Sequence, residues 1–165
     1  MANSSAGAVW HAAVNEFAIL NLVARLAQAA DDRNEAAYRA CLAPCVWTDV
    51  GGERRDIPAD EYVRASMTRL ARADWTHHKL ANPVISIDAC GANASALIDV
   101  VVEIAYSDAD GRHRRATIGG RYDLGLVRQG DEWRIDRRIM HCHYSEGDFD
   151  VPALSHGAPC RRTQG

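Results

Sequence analysis

The sequence is short of the marks of several protein classes. Its apolar runs last only a few residues, as at Val100–Val102, against the roughly 18 that a bilayer-spanning helix needs, so no membrane segment is expected. Neither sign of charge is in surplus. The 19 Lys and Arg against 22 Asp and Glu give a net charge of −3, which leaves no basic excess to neutralise phosphates and excludes nucleic acid as an expected partner. The five cysteines, Cys41, Cys45, Cys90, Cys142 and Cys160, are odd in number and without paired spacing. They read as ordinary buried thiols of a reducing compartment, not as a disulfide framework. The stretch Met1–Ala8 has neither a cationic start nor an apolar core, so a cytoplasmic protein without a secretory signal is expected. No glycine-rich phosphate loop, nucleophile-elbow serine or dinucleotide fingerprint is found, and no cofactor is expected.

What remains is average globular usage, 47% apolar and 25% charged over 165 residues, which suits one domain. A soft Ala/Ser arm is expected over residues 1–13, a single domain over 14–150 and a tail over 151–165. Within the domain the hydrophobic period changes once, from helical to strand. Helices are expected at 15–32, at 34–43 up to Pro44, and at about 58–72, where Pro58 and the acids Asp60 and Glu61 suit a first turn. A short strand, 46–50, lies between the second and third helices. Four long β runs follow, at 77–88, 93–107, 113–128 and 132–145, separated by turn compositions containing Gly91, Gly111 and Gly130. Helices first and an antiparallel meander afterwards make the α+β class. Runs of this length have to twist and curl, with Gly119–Gly120 the expected bend, and a curled sheet closed by helices encloses a space for a ligand.

Several polar residues are placed against apolar patterns. On the first helix Phe17, Leu20, Ala24, Ala27 and Asp31 share one edge of the apolar face, whereas Asn21, Arg25, Gln28 and Asp32 form a polar arc. An inward Asp31 needs a hydrogen-bonded or charged partner; the equally weighted reading is an exposed helix end, or a cap for the helix beginning at Asn34. His77 and His78 enter the first long strand, and alternation sends them to opposite faces, so only one looks into the enclosed space. On the last strand Arg138 shares a face with Met140 and Cys142 and calls for an anionic partner. His141 and His143 also share a face, a spacing that suits metal chelation, but no third ligand accompanies them and no metal is expected. Asp99 stands mid-strand, opposite the clean apolar face of Ala94, Ala96, Ile98, Val100, Val102 and Ile104. Its own neighbours Leu97 and Val101 favour a cavity over solvent.

The order of these features resembles the SnoaL-like branch of the nuclear transport factor 2-like superfamily: a helix ending in Asp31–Asp32–Arg33, small helices, a strand carrying His77–His78 four residues before Asn82, the segment Ile118–Gly119–Gly120 before Tyr122, and the strand Trp133–Arg138. The resemblance covers about residues 14–150. It implies a cone of curved antiparallel sheet capped by three N-terminal helices around an apolar cavity, most similar to enzymes of the hexachlorocyclohexane dehydrochlorinase, scytalone dehydratase and bile-acid dehydratase type. It further implies that Asp31 orients His78 as a base, that Arg138 is the active-site arginine, and that Asp99 lies where the dehydratases carry a further polar group. The position of a tyrosine found in several dehydratases is Leu26 here, which argues against tyrosine-assisted dehydration. Trp75, Leu26, Trp47, Val101, Met140 and Tyr122 are the expected substrate-binding side chains. The implied activity is a cofactor-independent lyase on a small hydrophobic cyclic or aromatic substrate, with an isomerase, a polyketide cyclase or a non-catalytic binding subunit as alternatives. The implied assembly is a homo-oligomer, dimer or trimer.

Overall fold

A computed structural model of the chain describes residues 3–50, 52–108 and 110–147; the expected tail at 151–165, with Cys160, lies outside the described residues. In chain order the elements are α1 (Asn3–Asp31), α2 (Glu35–Ala40), β1 (Leu42–Val50), β2 (Glu53–Pro58), α3 (Ala59–Leu70), β3 (Trp75–Ile87), β4 (Asn93–Ser107), β5 (His113–Gln129) and β6 (Glu132–Gly147). The strands form one curved, unclosed sheet in the order β2-β1-β6-β5-β4-β3. The β3–β6 meander is antiparallel throughout, and β1 joins β6 in parallel. This is the expected α+β cone.

Three sequence expectations need correction. Residues 3–13, read as a soft arm, have helical backbone continuous with α1, as their alanine content permits. The second helix stops at Ala40 rather than at 43, and Pro44 lies inside β1. It is tolerated there because it falls in the register break between Leu42 and Trp47, where the ladder to β6 needs no donor from it. Strand β2 is an addition to the expected elements: only Ile57 is buried in Glu53–Pro58, so the segment shows no alternation. Its pairing with β1 makes it a strand.

The face of α1 that enters the core is also shifted. Ile19, Leu22, Val23, Leu26, Ala29 and Ala30 are buried, while Phe17 is 66% exposed and Leu20 37%. With its last turn pressed on the sheet, α1 ends at Asp31, and Arg33 takes a left-handed φ of 53°. The Arg33 guanidinium then donates to the carbonyls of Leu70 (3.2 Å) and Ala73 (2.6 Å), tying the end of α1 to the end of α3. The helix α2 is capped by Asn34, whose Oδ1 accepts from the Ala37 N–H at 3.0 Å. Asp31 is therefore free of capping duty.

The long strands curl around a core of Ile98, Val100, Ile104, Leu124, Leu126 and Ile135. The register between β5 and β6 slips at Gly119/Gly120 and again at Gly125/Leu126, so the bend falls where the glycine pair stands. A Cβ on Gly120 would meet the His141 carbonyl oxygen at 2.2 Å, closer than any side chain allows, so the strands approach here only because the residue has none. Cys41 is a buried thiol, Cys45 and Cys90 are exposed thiols, and Cys142 is disulfide-bonded. The reading of all five as buried thiols does not hold.

Candidate active site

Between the inner face of the sheet and the helices lies a cavity that opens to solvent at one side, the kind of concave, mostly apolar space in which small molecules bind. Its walls are mostly apolar: Val23, Leu26, Ala27 and Ala30 from α1, Leu80 from β3, Val102 and Ile104 from β4, Ile118 from β5 and Met140 from β6. The polar groups among them are few and clustered.

Strand alternation on β3 sends Thr76, His78 and Leu80 into this space and leaves His77 and Lys79 outside, beside Glu103 at 3.9 and 2.6 Å. Asp31, at the end of α1, sits directly behind His78. Its Oδ1 is 2.6 Å from His78 Nδ1 and accepts from the Thr76 hydroxyl at 2.8 Å, while its Oδ2 accepts from the His78 backbone N–H at 2.9 Å. Burial by itself would raise the Asp31 pKa, but the hydrogen bonds from the His78 ring and backbone, the His78 charge and the Thr76 hydroxyl together hold it below the usual carboxylate value. An ionised carboxylate only accepts, so Nδ1 carries the proton of the short contact and Nε2 of the neutral ring is left as a base. The residue pair is set by main-chain geometry as well as by side chains, since one carboxylate fixes both the ring and the backbone of His78.

Arg138 lines the same cavity from β6. Its Nη1 donates to the Tyr62 hydroxyl at 2.8 Å, and its guanidinium carbon stands 4.3 Å from the centre of the Tyr122 ring. Burial opposes its charge, but Tyr122, Tyr62 and Tyr38, which would carry negative charge only at a pH where arginine itself begins to titrate, keep its pKa well above the ordinary arginine value, so Arg138 stays protonated. Its Nε is buried without a hydrogen-bond partner. Burial pushes the Tyr62 and Tyr122 hydroxyls up in turn, so both stay neutral donors.

The profile of the SnoaL-like domain matches residues 13–139. The chain belongs to the SnoaL-like family. None of the curated proteins matches it. Among solved structures, this SnoaL-like chain is similar to the Kfla4162 protein of Kribbella flavida, with 24% identity over 82% of this chain and 95% of that one and a TM-score of 0.75. It is similar also to a candidate scytalone dehydratase of Novosphingobium aromaticivorans, with 14% identity, 92% and 96% coverage and a TM-score of 0.74. A third is the hexachlorocyclohexane dehydrochlorinase LinA-type3 of Novosphingobium barchaimii, with 14% identity, 86% and 94% coverage and a TM-score of 0.68. At these identities the likeness is one of fold, shared with proteins that include dehydratases and dehydrochlorinases.

The SnoaL-like cavity gathers His78, Arg138, Leu26, Tyr122 and Met140 in its lining, with Asp31 behind His78. It excludes four residues that the sequence placed there. Asp99 and Val101 lie on the outer face of β4, because the larger apolar face of that strand, with Ile98, Val100 and Ile104, takes the core. Asp99 is there paired with Arg121 (2.7 Å) and accepts from Asn82 (2.9 Å), and these bonds hold its pKa down. Trp75 is 38% exposed under the Arg115 guanidinium, and Trp47 stacks with Arg54 on the β1–β2 hairpin. His141 faces Asp123 at 4.0 Å on the outer side as well.

The structure adds Thr76, Ser66 and Arg69 to the lining and Tyr62 beside Arg138, four residues beyond those expected. Thr76 stands two residues before His78 and so shares its face, a signal that strand period carries. Tyr62, Ser66 and Arg69 follow at helical spacing on α3, but only the packing of that helix shows which way their face turns.

Proposed function

We propose that this SnoaL-like protein is a cofactor-independent lyase acting on a small, largely hydrophobic cyclic or aromatic substrate, eliminating water, halide or a small carbonyl fragment. The observation that carries the reading is the 2.6 Å contact between His78 Nδ1 and Asp31 Oδ1 inside an apolar cavity. His78 Nε2 takes a proton from the substrate, and Asp31 stabilises the imidazolium that forms and holds the ring in its tautomer. Arg138 faces the negative charge that develops as the proton leaves, or the departing group itself. Asp99, on the outer face, takes no part. The dehydratases and dehydrochlorinases among the structural neighbours support elimination over isomerisation.

The test is turnover of hydroxylated and halogenated cyclic compounds, followed by mass spectrometry. A mass loss matching water, hydrogen halide or a carbonyl fragment is expected, and an unchanged product mass identifies an isomerase or cyclase instead. Replacing the base, His78→Ala, is expected to lower kcat by about 10²- to 10⁴-fold, the range of general-base catalysis. If His78→Ala and Asp31→Asn, both folded by circular dichroism, turn over the substrate as fast as the parent chain, the lyase reading is wrong and a binding role takes its place.

A further inference from the structure

The cavity holds more positive charge than the proposed proton transfer uses. Arg138 and Arg69 both line it, and no carboxylate side chain does so among the described residues; Asp31 stands behind His78 and is engaged by three hydrogen bonds there. A guanidinium has five in-plane N–H donors; Arg138 gives to the Tyr62 hydroxyl and to that of Tyr122, and its Nε is buried without a partner among the described residues. One of its faces is covered by the Tyr122 ring. A donor edge without a partner in a buried site is costly unless an acceptor arrives.

Arg69 reaches the cavity from the last turn of α3, its Nη2 3.3 Å from the Ser66 hydroxyl. Burial lowers its pKa first, the nearby Tyr62 raises it and the Arg138 charge lowers it again. The two guanidiniums thus share one field around Tyr62, and each makes the other dearer to bury. An anion in the cavity reverses both effects. A charge that exists only during proton transfer needs one cation, and a second implies a charge that is present throughout. Planar guanidinium forks match a carboxylate in shape, and the otherwise apolar walls suit the rest of such a molecule.

We propose that the substrate is a small apolar carboxylic acid, its carboxylate held by Arg69 of α3 and met on one edge by Arg138 of β6, whose remaining donors face the charge that develops during proton transfer. This names the substrate class of the lyase proposed above and rests on that reading only in that the same cavity takes the substrate. Arg69 is then a binding and specificity residue that separates acids from their neutral analogues.

Calorimetric titration of the full chain with paired probes tests it: benzoate against benzamide, cinnamate against cinnamamide, cyclohexanecarboxylate against its amide, and inorganic phosphate alone. Acids are expected to bind about tenfold more tightly than their amides, as charge-assisted pairing predicts. Arg69→Gln is expected to remove about that preference while leaving amide affinity within about twofold, and Arg69→Lys to restore part of it. His78→Ala is expected to keep the acid preference, so that failure of the lyase reading and failure of the carboxylate subsite show separately. Equal binding of acids and amides, no binding of any acid at millimolar concentration, stronger binding of phosphate, or an unchanged preference in Arg69→Gln would each overturn the proposal.

Discussion

At the scale of single residues, the site turns on one carboxylate that does three jobs. Asp31 fixes the His78 ring, fixes the His78 backbone and takes the Thr76 hydroxyl. The Asn variant keeps the shape but offers an amide nitrogen where an acceptor is required, so Asp31→Asn is expected to reduce activity by at least about tenfold through loss of the His78 tautomer, read as kcat with KM little changed. The depressed Asp31 pKa also has a stability consequence with a definite sign. A group whose folded pKa lies below its unfolded value stabilises the fold above the unfolded value, near 3.8, and that contribution fades as pH falls through the folded value. Urea unfolding followed from about pH 5 to about pH 2 is therefore expected to show a steeper loss of stability in the parent than in Asp31→Asn. A parallel pair of curves would mean that the carboxylate is not held ionised by its neighbours. In the sequence Asp31 was legible as an acid continuing a buried helix face, but the spacing alone left it balanced against a capping role that Asn34 proves to hold.

At the scale of elements, the helix α1 and the β5–β6 bend show where pattern reading succeeds and where it slips. Ten or more apolar side chains on α1 left its buried edge ambiguous, and the edge that packs is centred on Leu22 and Leu26, not on Phe17 and Leu20. Leu22→Ala is expected to cost about 2–5 kcal/mol, as buried leucines do, whereas Phe17→Ser on the exposed edge is expected to stay within about 0.5 kcal/mol; chemical denaturation of the two variants measures both. The glycine pair gives a sharper contrast. An added Cβ at Gly120 meets the backbone at His141, which cannot move without breaking the ladder, while at Gly119 it meets the outer ring atoms of Tyr144, the nearest at 2.0 Å. Gly120→Ala is expected to lose most of the folded population. Gly119→Ala is expected to be milder, and to be rescued by adding Tyr144→Ala, which a double-mutant cycle in unfolding free energy detects. The bend was visible as two adjacent glycines inside a long strand run. The partner each one makes room for was not, since it lies some twenty residues away across the ladder.

At the scale of the whole molecule, function depends on a space that no segment contains. No helix among the described residues is long and apolar enough to cross a membrane, and the hollow core leaves room for a ligand of modest size. The dimer or trimer implied by the family resemblance is retained as a proposal, and light scattering that gives a single species of 18.1 kDa would remove it. Sequence alone determined the α+β order, the bounds of the meander to within a residue or two, and the parity that separates His78 from His77, because period and turn chemistry act between near neighbours. Tertiary structure alone decided which side of each element faces inward. Alternation says that Asp99 and Val100 point apart, but curvature decides which of them turns inward, and the larger apolar face won. The same global choice turned the Tyr62–Ser66–Arg69 face of α3 toward Arg138. Two cations that local pattern leaves 69 positions apart share one cavity only after the sheet has curled and α3 has been laid across it.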